Sequence, residues 1–404
     1  MLFSSLAIAL GVLASTSNAA PVHEKRIDYG VPTSWREFGT SLVKSQRNTI
    51  ALNAMNTMVG LGGTHQSVGG LGYWQSANVW SALVLKDLYA GTTDYEGTSL
   101  DAVGDTYGQF PNFRYDVYND DTLWWASAAI YQYKAYGNTV ALSWAENSWA
   151  NVAPYQITGT SGNGKSFTWG TCNGQSLSGL VFWTTSATDT STNAITTGLF
   201  MTLSAWLYEA TGNTQYLNAA VAAYGAITRN LYDTSTNLIN DSLDVTTCSG
   251  PDWVFTYNSG KFIEGTAVLG AVTGTATYTN AALTVAVAAM KSGPWQGSDG
   301  IITESSSNTH SSNNDAWGFK AVYIRGLAEL YRRQSASNTP LGTLIHSYVD
   351  TQANALIELA SNTLTWSTAT SYAADWEGPY DGMYAWTQLA ALDVFGTFVM
   401  VNSP

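Results

Sequence analysis

Two adjacent carboxylates, Asp120 and Asp121, open the stretch YNDDTLWWASAAIYQYKAYGN, and two tryptophans, Trp124 and Trp125, follow almost at once. Such a pair can begin a helix, because Asp is a favoured N-cap residue and a second acid complements the positive end of the helix dipole. On this segment alone, capping is the simpler interpretation. The pair can also act as a coupled acid and base, because mutual repulsion raises the pKa of one of the two carboxyl groups.

The other residue types that commonly carry chemistry are scarce. His23 lies near the N-terminus, and the remaining histidines, His65, His310 and His346, have no metal-ligand spacing. Zinc-ligand patterns and calcium-binding loops of the Asp-x-Asp-x-Asp-Gly type are also missing from the sequence. We therefore expect an activity that uses no metal and no cofactor.

The N-terminus predicts export. MLFSSLAIALGVLASTSNAA, residues 1–20, reads as a secretory signal peptide, and PVHEKR, residues 21–26, reads as a propeptide that ends at a dibasic site. No later apolar run is long enough to span a bilayer, and the C-terminus lacks a lipid-anchor pattern. We expect a freely secreted, extracellular protein without a membrane anchor. Asn240 begins its one N-glycosylation sequon.

Two cysteines, Cys172 and Cys248, are the only ones in the chain. Because disulfides form and persist in the oxidising compartments that exported proteins enter, we predict that the two pair. The pairing would close one long loop between two helical regions.

The charge balance limits the partners. The chain has 16 basic and 29 acidic residues, and removal of Glu24, Lys25 and Arg26 with the leader leaves 14 and 28, a net charge of −14. Such a surface argues against nucleic acid, anionic membranes and polyanionic sugars, and favours a neutral substrate. No Pro- or Ser-rich linker divides the sequence, so we expect one domain over 27–404 and a monomer.

The elements that must position the acids are helices. Apolar residues recur at helical spacing in segments such as TLWWASAAIYQYKAYG and TTGLFMTLSAWLYEATG, which Gly-, Asn- and Ser/Thr-rich loops separate. AYGNTVALSWAENSW, ATGNTQYLNAAVAAY and VTGTATYTNAALTVA share a Gly, a polar turn and an alanine-rich helix, which predicts the corners of antiparallel hairpins. We predict an all-α protein, an α/α toroid with a groove at one end. QSLSGLVFWTT and IITESS are expected to be short extended segments.

The aromatic content indicates a carbohydrate site. The chain holds 16 tryptophans and 23 tyrosines, and aromatic rings stack on the apolar faces of sugars while their polar edges meet hydroxyl groups. Large helical proteins also bury many aromatic residues, so position matters. The better site candidates lie beside polar residues, as Trp74 lies beside Gln75, and as Trp253 lies near Tyr257 and Asn258.

These segments, in this order, resemble glycoside hydrolase family 76, the endo-α-1,6-mannanase type with secreted fungal members. The matching stretches cover roughly residues 73–330 and are YWQSANVWSALVLKDLY, NDDTLWWASAAIYQYKAYGN, WGTCNGQSLSGLVFW, TNAITTGLFMTLSAWLYEATGNTQYLNAA, FTYNSGKFIEGTAVL and NNDAWGFKAVYIRGLAEL. MYAWTQLAALDVF near the C-terminus fits as well. One Asp-Asp pair would be a weak signal, whereas six ordered motifs are specific.

The resemblance implies an (α/α)6-type toroid with the acid pair at the centre of a substrate groove. It implies that Asp120 is the nucleophile and Asp121 the acid/base of a retaining glycosidase that cleaves α-1,6-mannan internally. The candidate substrate contacts are Trp74, Gln75, Trp124, Trp125, Asn193, Tyr257, Asn258 and Asp315. Asn258 is as readily a loop or cap residue, and Asp315 as readily the N-cap of the following helix.

The chain also departs from the family pattern. The family's glycine-rich segment with paired tryptophans becomes CNGQSLSGLVFW with one tryptophan, Trp183, and TNAITTGLF keeps Asn193 and Thr196 without the flanking Lys and Asn. These differences affect substrate preference more than reaction type. Two other functions remain open: a transglycosylase that remodels cell-wall mannan-type glycans with the same acids, and a non-catalytic glycan-binding protein.

Overall fold

The computed structural model describes residues 27–167, 170–304 and 314–403 of the chain. The predicted signal peptide and propeptide, residues 1–26, lie outside these ranges, as does His310. The described residues form twelve α-helices: α1 Lys44–Gly60, α2 Tyr73–Ala90, α3 Glu96–Gln109, α4 Asn119–Tyr136, α5 Thr139–Val152, α6 Ala194–Thr211, α7 Thr214–Asn230, α8 Thr256–Thr273, α9 Ala276–Ser292, α10 Phe319–Gln334, α11 Thr339–Glu358 and α12 Ala385–Val401. Three 3-10 turns occur at Pro111–Phe113, Ala153–Tyr155 and Asn314–Gly318.

The helices are joined in hairpins at glycine corners. Gly137, Gly212 and Gly274 end α4, α6 and α8 with left-handed φ angles of 74°, 71° and 65°. Glycine takes this conformation readily because it has no Cβ atom. Asn138 and Asn213 then begin α5 and α7 by accepting hydrogen bonds from backbone N–H groups. The predicted corners at the three repeated segments are therefore confirmed.

The hairpins close into a ring. The even-numbered helices form an inner layer in which each one contacts the next, and α12 returns to contact α2. The odd-numbered helices lie outside: α1 packs mainly on α12, and the others pack on inner helices beside them in sequence. The predicted α/α toroid is thus confirmed, with six inner and six outer helices among the residues that the structure describes.

The two layers differ in what they bury. Outer helix α7 buries one stripe, which includes Ala219, Ala223 and Ala226, whereas most residues of the inner helices are buried on every side. Several buried charged side chains of the inner layer form ion pairs, such as Arg325–Asp393 at 2.8 Å and Lys261–Glu264 at 2.7 Å, because an unpaired charge is costly to bury. Within the described ranges, no helix combines the length and the apolar character needed to cross a membrane.

Short β-ribbons lie in the segments between the helices. The described residues form ten strands in five antiparallel pairs: β1 Gly63–Thr64 with β2 Ser67–Val68, β3 Ser161–Gly162 with β4 Lys165–Ser166, β5 Thr171–Cys172 with β6 Gln175–Ser176, β7 Ser191–Asn193 with β10 Ser242–Asp244, and β8 Tyr232–Asp233 with β9 Leu238–Ile239. The extended character expected of QSLSGLVFWTT appears in β6 and in isolated bridges at Val181, Phe182 and Thr184. In IITESS, Ile302 makes a bridge with Gln296, and the last two residues lie outside the described ranges.

A disulfide joins Cys172 and Cys248, as predicted. It links β5 to the loop that follows β10 rather than two helices directly. Since β10 pairs with β7 immediately before α6, the disulfide anchors the loops at the end of the toroid where α6 and α8 begin.

Candidate active site

Inner helices α2, α4, α6, α8 and α10 all begin at one end of the toroid, where a cleft of about 520 Å³ opens. The first turns of helices leave backbone N–H groups unpaired, so this end presents partial positive charge to whatever enters the cleft. The lining residues are Gly72, Tyr73, Trp74, Gln75, Tyr115, Asp116, Tyr118, Asp120, Asp121, Trp124, Trp183, Asn193, Tyr257, Asp315 and Phe319.

The N-terminus of α4, which carries the acid pair, is fixed from two sides. The Asn119 backbone N–H donates to the Trp183 carbonyl at 2.8 Å, and its side-chain amide donates to the Phe182 carbonyl at 2.8 Å. From the other side, the Arg114 guanidinium donates to the Tyr118 carbonyl at 3.0 Å and to the Asn119 side-chain oxygen at 2.9 Å. The two acids therefore extend from a backbone that is held in place.

Neither acid caps the helix. The N-cap position belongs to Tyr118, and no side chain makes a capping hydrogen bond there. Asp120 Oδ2 accepts a hydrogen bond from Trp183 Nε1 at 3.2 Å, and Asp120 Oδ1 is buried with no partner among the described residues. Sixteen other buried side-chain atoms of the described residues also lack a partner, but Asp120 Oδ1 is the one carboxylate oxygen among them, and Asp120 lines the cleft. A buried carboxylate oxygen without a partner is costly for folding, which favours a function in the cleft.

The surroundings of the two carboxyl groups differ. Burial raises the pKa of Asp120 to about 7, while the neighbouring backbone N–H groups and the Trp183 indole N–H oppose the rise. Burial, the negative charge of Asp120, and the charge and hydrogen bond of Asp116 raise the pKa of Asp121 well above its usual range. Hydrogen-bond donors favour the ionised form of Asp120, and a neighbouring acid favours the protonated form of Asp121. The pair thus offers one ionised and one protonated carboxyl group.

The wall beside α2 consists of stacked indoles and an acid. Trp74 stacks on Trp124 with ring centroids 5.5 Å apart, and Trp74 Nε1 donates to Asp315 Oδ1 at 3.0 Å. The Gln75 amide donates to the same oxygen. Asp315 lies in the 3-10 turn before α10, whose N-cap is Gly318, so Asp315 is not the cap of that helix. Burial raises the pKa of Asp315.

Two further predicted contacts, Asn193 and Tyr257, also line the cleft. Asn193 caps α6, since its side-chain oxygen accepts from the Thr196 backbone N–H at 3.0 Å, and it also borders the cleft. Tyr257 stacks face to face on Phe319, with centroids 3.8 Å apart. Burial raises the pKa of Tyr257 well above its usual value, so its hydroxyl group stays neutral.

The structure does not bring Trp125 and Asn258 to the cleft surface, and we correct the expectation that they contact substrate. Trp125 is fully buried and donates from Nε1 to the Tyr73 carbonyl at 3.0 Å. Asn258 is also buried, and its amide donates to Asp241 at 3.0 Å. Successive helix residues point about 100° apart, so Trp125 and Asn258 point away from the cleft although the residue before each of them lines it.

Several lining residues were not among the predicted contacts: Tyr73, Tyr115, Asp116, Tyr118, Trp183 and Phe319. A signal existed for those just before the acid pair, because RYDVYNDD crowds two tyrosines and a third acid into eight residues. Trp183 reaches the cleft through a β-bridge between Tyr118 and Thr184. A bridge across 66 positions leaves no local pattern in the sequence.

Among residues 27–167, 170–304 and 314–403, no three or more His, Cys, Asp and Glu side chains gather as a metal site would require. His65 instead contacts Asp105 at 3.0 Å, and His346 contacts Asp350 at 3.3 Å. Both pairs lie apart from the cleft lining.

Comparison with known proteins decides the family. The model of glycosyl hydrolase family 76 matches residues 42–404. The chain belongs to this family. A sequence search of curated proteins found no match.

Solved structures share the fold at low identity. An inactive variant of an α-1,6-mannanase from a Salegentibacter species, with two consecutive aspartates replaced and α-1,6-mannotriose bound, is 18% identical with a TM-score of 0.72, covering 89% of this chain and 99% of that one. Dfg5 from Chaetomium thermophilum, in complex with glucosamine, is 16% identical with a TM-score of 0.71, covering 90% and 92%. A family 76 mannosidase from Bacteroides thetaiotaomicron is 17% identical with a TM-score of 0.65, covering 88% and 98%.

Proposed function

We propose that this family 76 protein is a secreted, retaining endo-α-1,6-mannanase that acts as a monomer without a cofactor. The observation that carries the proposal is the pair Asp120 and Asp121, which caps nothing and lies in a cleft with two different electrostatic environments. Family membership supports glycosidase chemistry. The bound mannotriose of the bacterial relative, and the inactivity of its double aspartate variant, support the substrate and the pair.

The first step forms a covalent intermediate. The ionised carboxylate of Asp120 attacks the anomeric carbon, and the bond to the glycosidic oxygen breaks as Asp121 donates its proton to that oxygen. The fragment on the reducing-end side leaves with the glycosidic oxygen as its new hydroxyl group, and the other fragment stays on Asp120 as a glycosyl ester through its anomeric carbon. Asp121 becomes a carboxylate.

The second step releases the sugar. Asp121, now ionised, removes a proton from water, and the resulting oxygen attacks the anomeric carbon from the side that the first fragment left. The ester bond breaks, Asp120 returns as a carboxylate, and Asp121 is again protonated. Two inversions at one carbon give a product with the starting configuration.

The cleft chemistry suits a neutral glycan. Among the described residues, its lining contains four acids and no Lys or Arg, so an anionic polysaccharide would meet uncompensated negative charge. The partly exposed rings of Trp74 and Tyr257 offer faces for sugar stacking, whereas Trp124 is 2% exposed and lies behind Trp74. Carboxylate and amide groups beside these rings can accept hydrogen bonds from sugar hydroxyl groups or donate to them.

Product analysis tests the proposal. The purified protein is incubated with unbranched α-1,6-mannan, branched mannan, α-glucan and chitin, and anomeric proton signals are followed by NMR. We expect oligosaccharides from the unbranched mannan, formed first as the α-anomer. Initial release of the β-anomer would disprove retention, release of mannose alone would disprove endo action, and turnover of α-glucan or chitin instead would disprove the substrate. No turnover on any glycan would favour a binding protein.

A second candidate is glycan transfer by the same two acids. It is favoured by the chemistry, because a sugar hydroxyl can replace water in the second step. Adding labelled mannooligosaccharide acceptors distinguishes the two candidates. Labelled products longer than the acceptor, in excess over hydrolysis products, would replace hydrolysis with transfer as the main activity.

Secretion and processing rest on the sequence of the leader. Mass spectrometry of the protein from culture medium should give an N-terminus near Ile27. A protein retained in cells with residues 1–26 intact would contradict this part of the proposal, and size-exclusion chromatography with light scattering tests the monomer.

A further inference from the structure

A row of aromatic rings leaves the cleft on the side of α8 and α10. Trp74 contacts Phe319 at 6.0 Å between centroids, and Phe319 stacks on Tyr257 at 3.8 Å. Phe255 contacts Phe319 at 5.4 Å and Tyr257 at 6.1 Å, and Trp253 contacts Phe255 at 6.1 Å. The first three rings line the cleft, whereas Phe255 and Trp253 lie beyond it. The row therefore continues the cleft wall over the surface of the toroid.

The local sequence explains the row. Trp253, Phe255 and Tyr257 occupy alternate positions of WVFTY, which leads into α8, and Phe255 has the extended angles φ −120° and ψ 147°. In an extended chain, alternate side chains point to the same side. The outermost ring, Trp253, is 61% exposed, the highest value for a large apolar side chain among the described residues.

The backbone under Trp253 is well held. Its carbonyl accepts from the Asp241 backbone N–H at 2.9 Å, and Val254 makes a β-bridge with Asn240. The same loop contains Cys248, which the disulfide ties to Cys172. An exposed ring on a fixed backbone loses little entropy when a ligand covers it, which makes it a suitable stacking surface.

We propose that Trp253 and Phe255 form a distal subsite that stacks on a mannose unit of a polymeric substrate outside the cleft. The inference rests on the proposed function and adds to it a preference for long chains. A chain bound across Asp120 and Asp121 that follows the row of rings reaches Phe255 and then Trp253. A short oligosaccharide that fills only the cleft gains nothing from these two rings.

A glycan at the predicted sequon would not cover the exposed ring. Asn240, the sequon residue, pairs with Val254 across the bridge, and directly opposed residues of an antiparallel pair share one face. Trp253 and Phe255 flank Val254 and so point to the other face. A glycan on Asn240 would extend away from the row.

The test compares Trp253→Ala with the unmodified protein on substrates of increasing length. For unbranched mannan we expect KM to rise roughly 3- to 10-fold, the loss of one aromatic stacking contact, with kcat unchanged. For an aryl α-1,6-mannobioside, which is too short to reach the subsite, we expect both constants to stay the same. Trp253→Phe should restore most of the loss because it keeps a ring.

A second arm measures binding directly, in variants that also carry Asp120→Asn so that substrate is not consumed. Calorimetry with mannooligosaccharides should show that affinity rises with oligosaccharide length in the Asp120→Asn protein that retains Trp253. In the protein that also carries Trp253→Ala, affinity should stop rising at a shorter oligosaccharide. The matched control is Phe38→Ala, which removes another exposed ring; the backbone on both sides of Phe38 is held by Asn354 of outer helix α11.

The outcomes separate the two proposals. If the unmodified protein does not cleave mannan, the proposed function fails. If it cleaves mannan and Trp253→Ala shows the same KM at every length, only the subsite is refuted. An equal loss on the mannobioside, or a homodimer that Trp253→Ala dissociates in light scattering, would also refute the subsite.

Discussion

The two ends of the toroid treat buried charge in opposite ways. The cleft lies where inner helices begin, and at the other end a cavity of about 420 Å³ lies where α4, α6, α10 and α12 finish. The two spaces are similar in size. The cleft holds acids without basic partners, and the far cavity holds basic and acidic side chains together.

At the far end the charges satisfy one another. Glu329 accepts from Arg332 at 2.7 Å and also from Arg333, and Glu209 pairs with Lys134 at 2.6 Å and with Arg333 at 3.0 Å. Although burial opposes it, these hydrogen bonds and charges lower the pKa of Glu209. Basic side chains are also favourable beside the negative ends of helices.

At the cleft the charges lack such partners. Burial is the largest cause of the raised pKa values of Asp120, Asp121 and Asp315. Arg114 is nearby but is directed at Tyr118 and Asn119. Paired charges hold the inner ring together, and unpaired carboxyl groups at the other end keep the protonation states that acid–base chemistry needs.

The largest effect is expected for the acid pair itself. Asp120→Asn and Asp121→Asn should each fold normally, because neither carboxylate caps the helix, and each should lower kcat on mannan by at least roughly 10³-fold through loss of the nucleophile or the proton donor. Circular dichroism and thermal unfolding check the fold, and initial rates check the activity.

Azide separates the two roles. With an activated aryl mannoside, whose leaving group needs no proton, Asp121→Asn should still form the ester, and azide should release a mannosyl azide of retained configuration. Asp120→Asn should form no ester and at best yield the inverted azide. Exchanged stereochemistry would exchange the roles, and near-normal turnover of mannan by both folded variants would show that the pair is not catalytic.

The far end should respond in stability rather than in activity. Glu329→Ala removes the acid that Arg332 and Arg333 share and should lower the free energy of unfolding by roughly 2 kcal/mol. The effect is smaller than for a fully buried pair because Arg332 is 32% exposed and Arg333 keeps Glu209 as a partner. Urea unfolding measures the change. Below the unfolding transition, kcat should equal that of the unmodified protein, and a large fall in kcat would show that the two ends are not independent.

The pH profile of kcat/KM should follow the proton states of the acid pair. Activity requires Asp120 ionised and Asp121 protonated. Lowering the pH through the Asp120 pKa of about 7 protonates the nucleophile, so activity falls on the acid side. Raising the pH through the elevated Asp121 pKa removes the donor proton, so activity falls on the alkaline side.

A variant of Asp121 tests whether this residue causes the alkaline limb of the pH profile. In Asp121→Asn, assayed with the activated aryl mannoside and azide, that limb should disappear while the acid limb remains. An alkaline limb that persists unchanged would assign it to another group.

The sequence predicts local features of this molecule well. The corners at Gly137, Gly212 and Gly274 are set by a residue type that takes a left-handed conformation without strain, and the acid pair is contiguous. The ring closure of α12 on α2 and the approach of Trp183 to Asp120 depend on contacts between distant segments. The toroid was predicted from the family resemblance, and the approach of Trp183 to Asp120 was not predicted.

Adjacent residues show how precisely site residues can be predicted from the sequence. Trp124 and Trp125 have the same side chain and nearly the same neighbours in sequence, yet one lines the cleft and the other lies behind it. Tyr257 and Asn258 divide in the same way. A helix that is buried on all sides has no single apolar stripe in its sequence. The sequence therefore does not show which of its residues face the cleft, and the neighbouring helices of the ring decide this.

The smallest effect concerns the one side chain that donates to the nucleophile. Trp183→Phe keeps an aromatic ring beside Tyr118 but removes the indole N–H that donates to Asp120 Oδ2 at 3.2 Å. That hydrogen bond lowers the pKa of Asp120, so its loss should raise the pKa and move the acid limb of kcat/KM to higher pH. Because Trp183 is 36% exposed and water can replace part of the contact, we expect a shift of about 0.5 pH units with little change in the plateau rate.

Trp253→Phe, which removes an indole N–H remote from the acids, serves as the control and should leave the acid limb of kcat/KM in place. A shift to lower pH, or a lower plateau with no shift, would show that Trp183 acts as part of the cleft wall and does not tune the nucleophile.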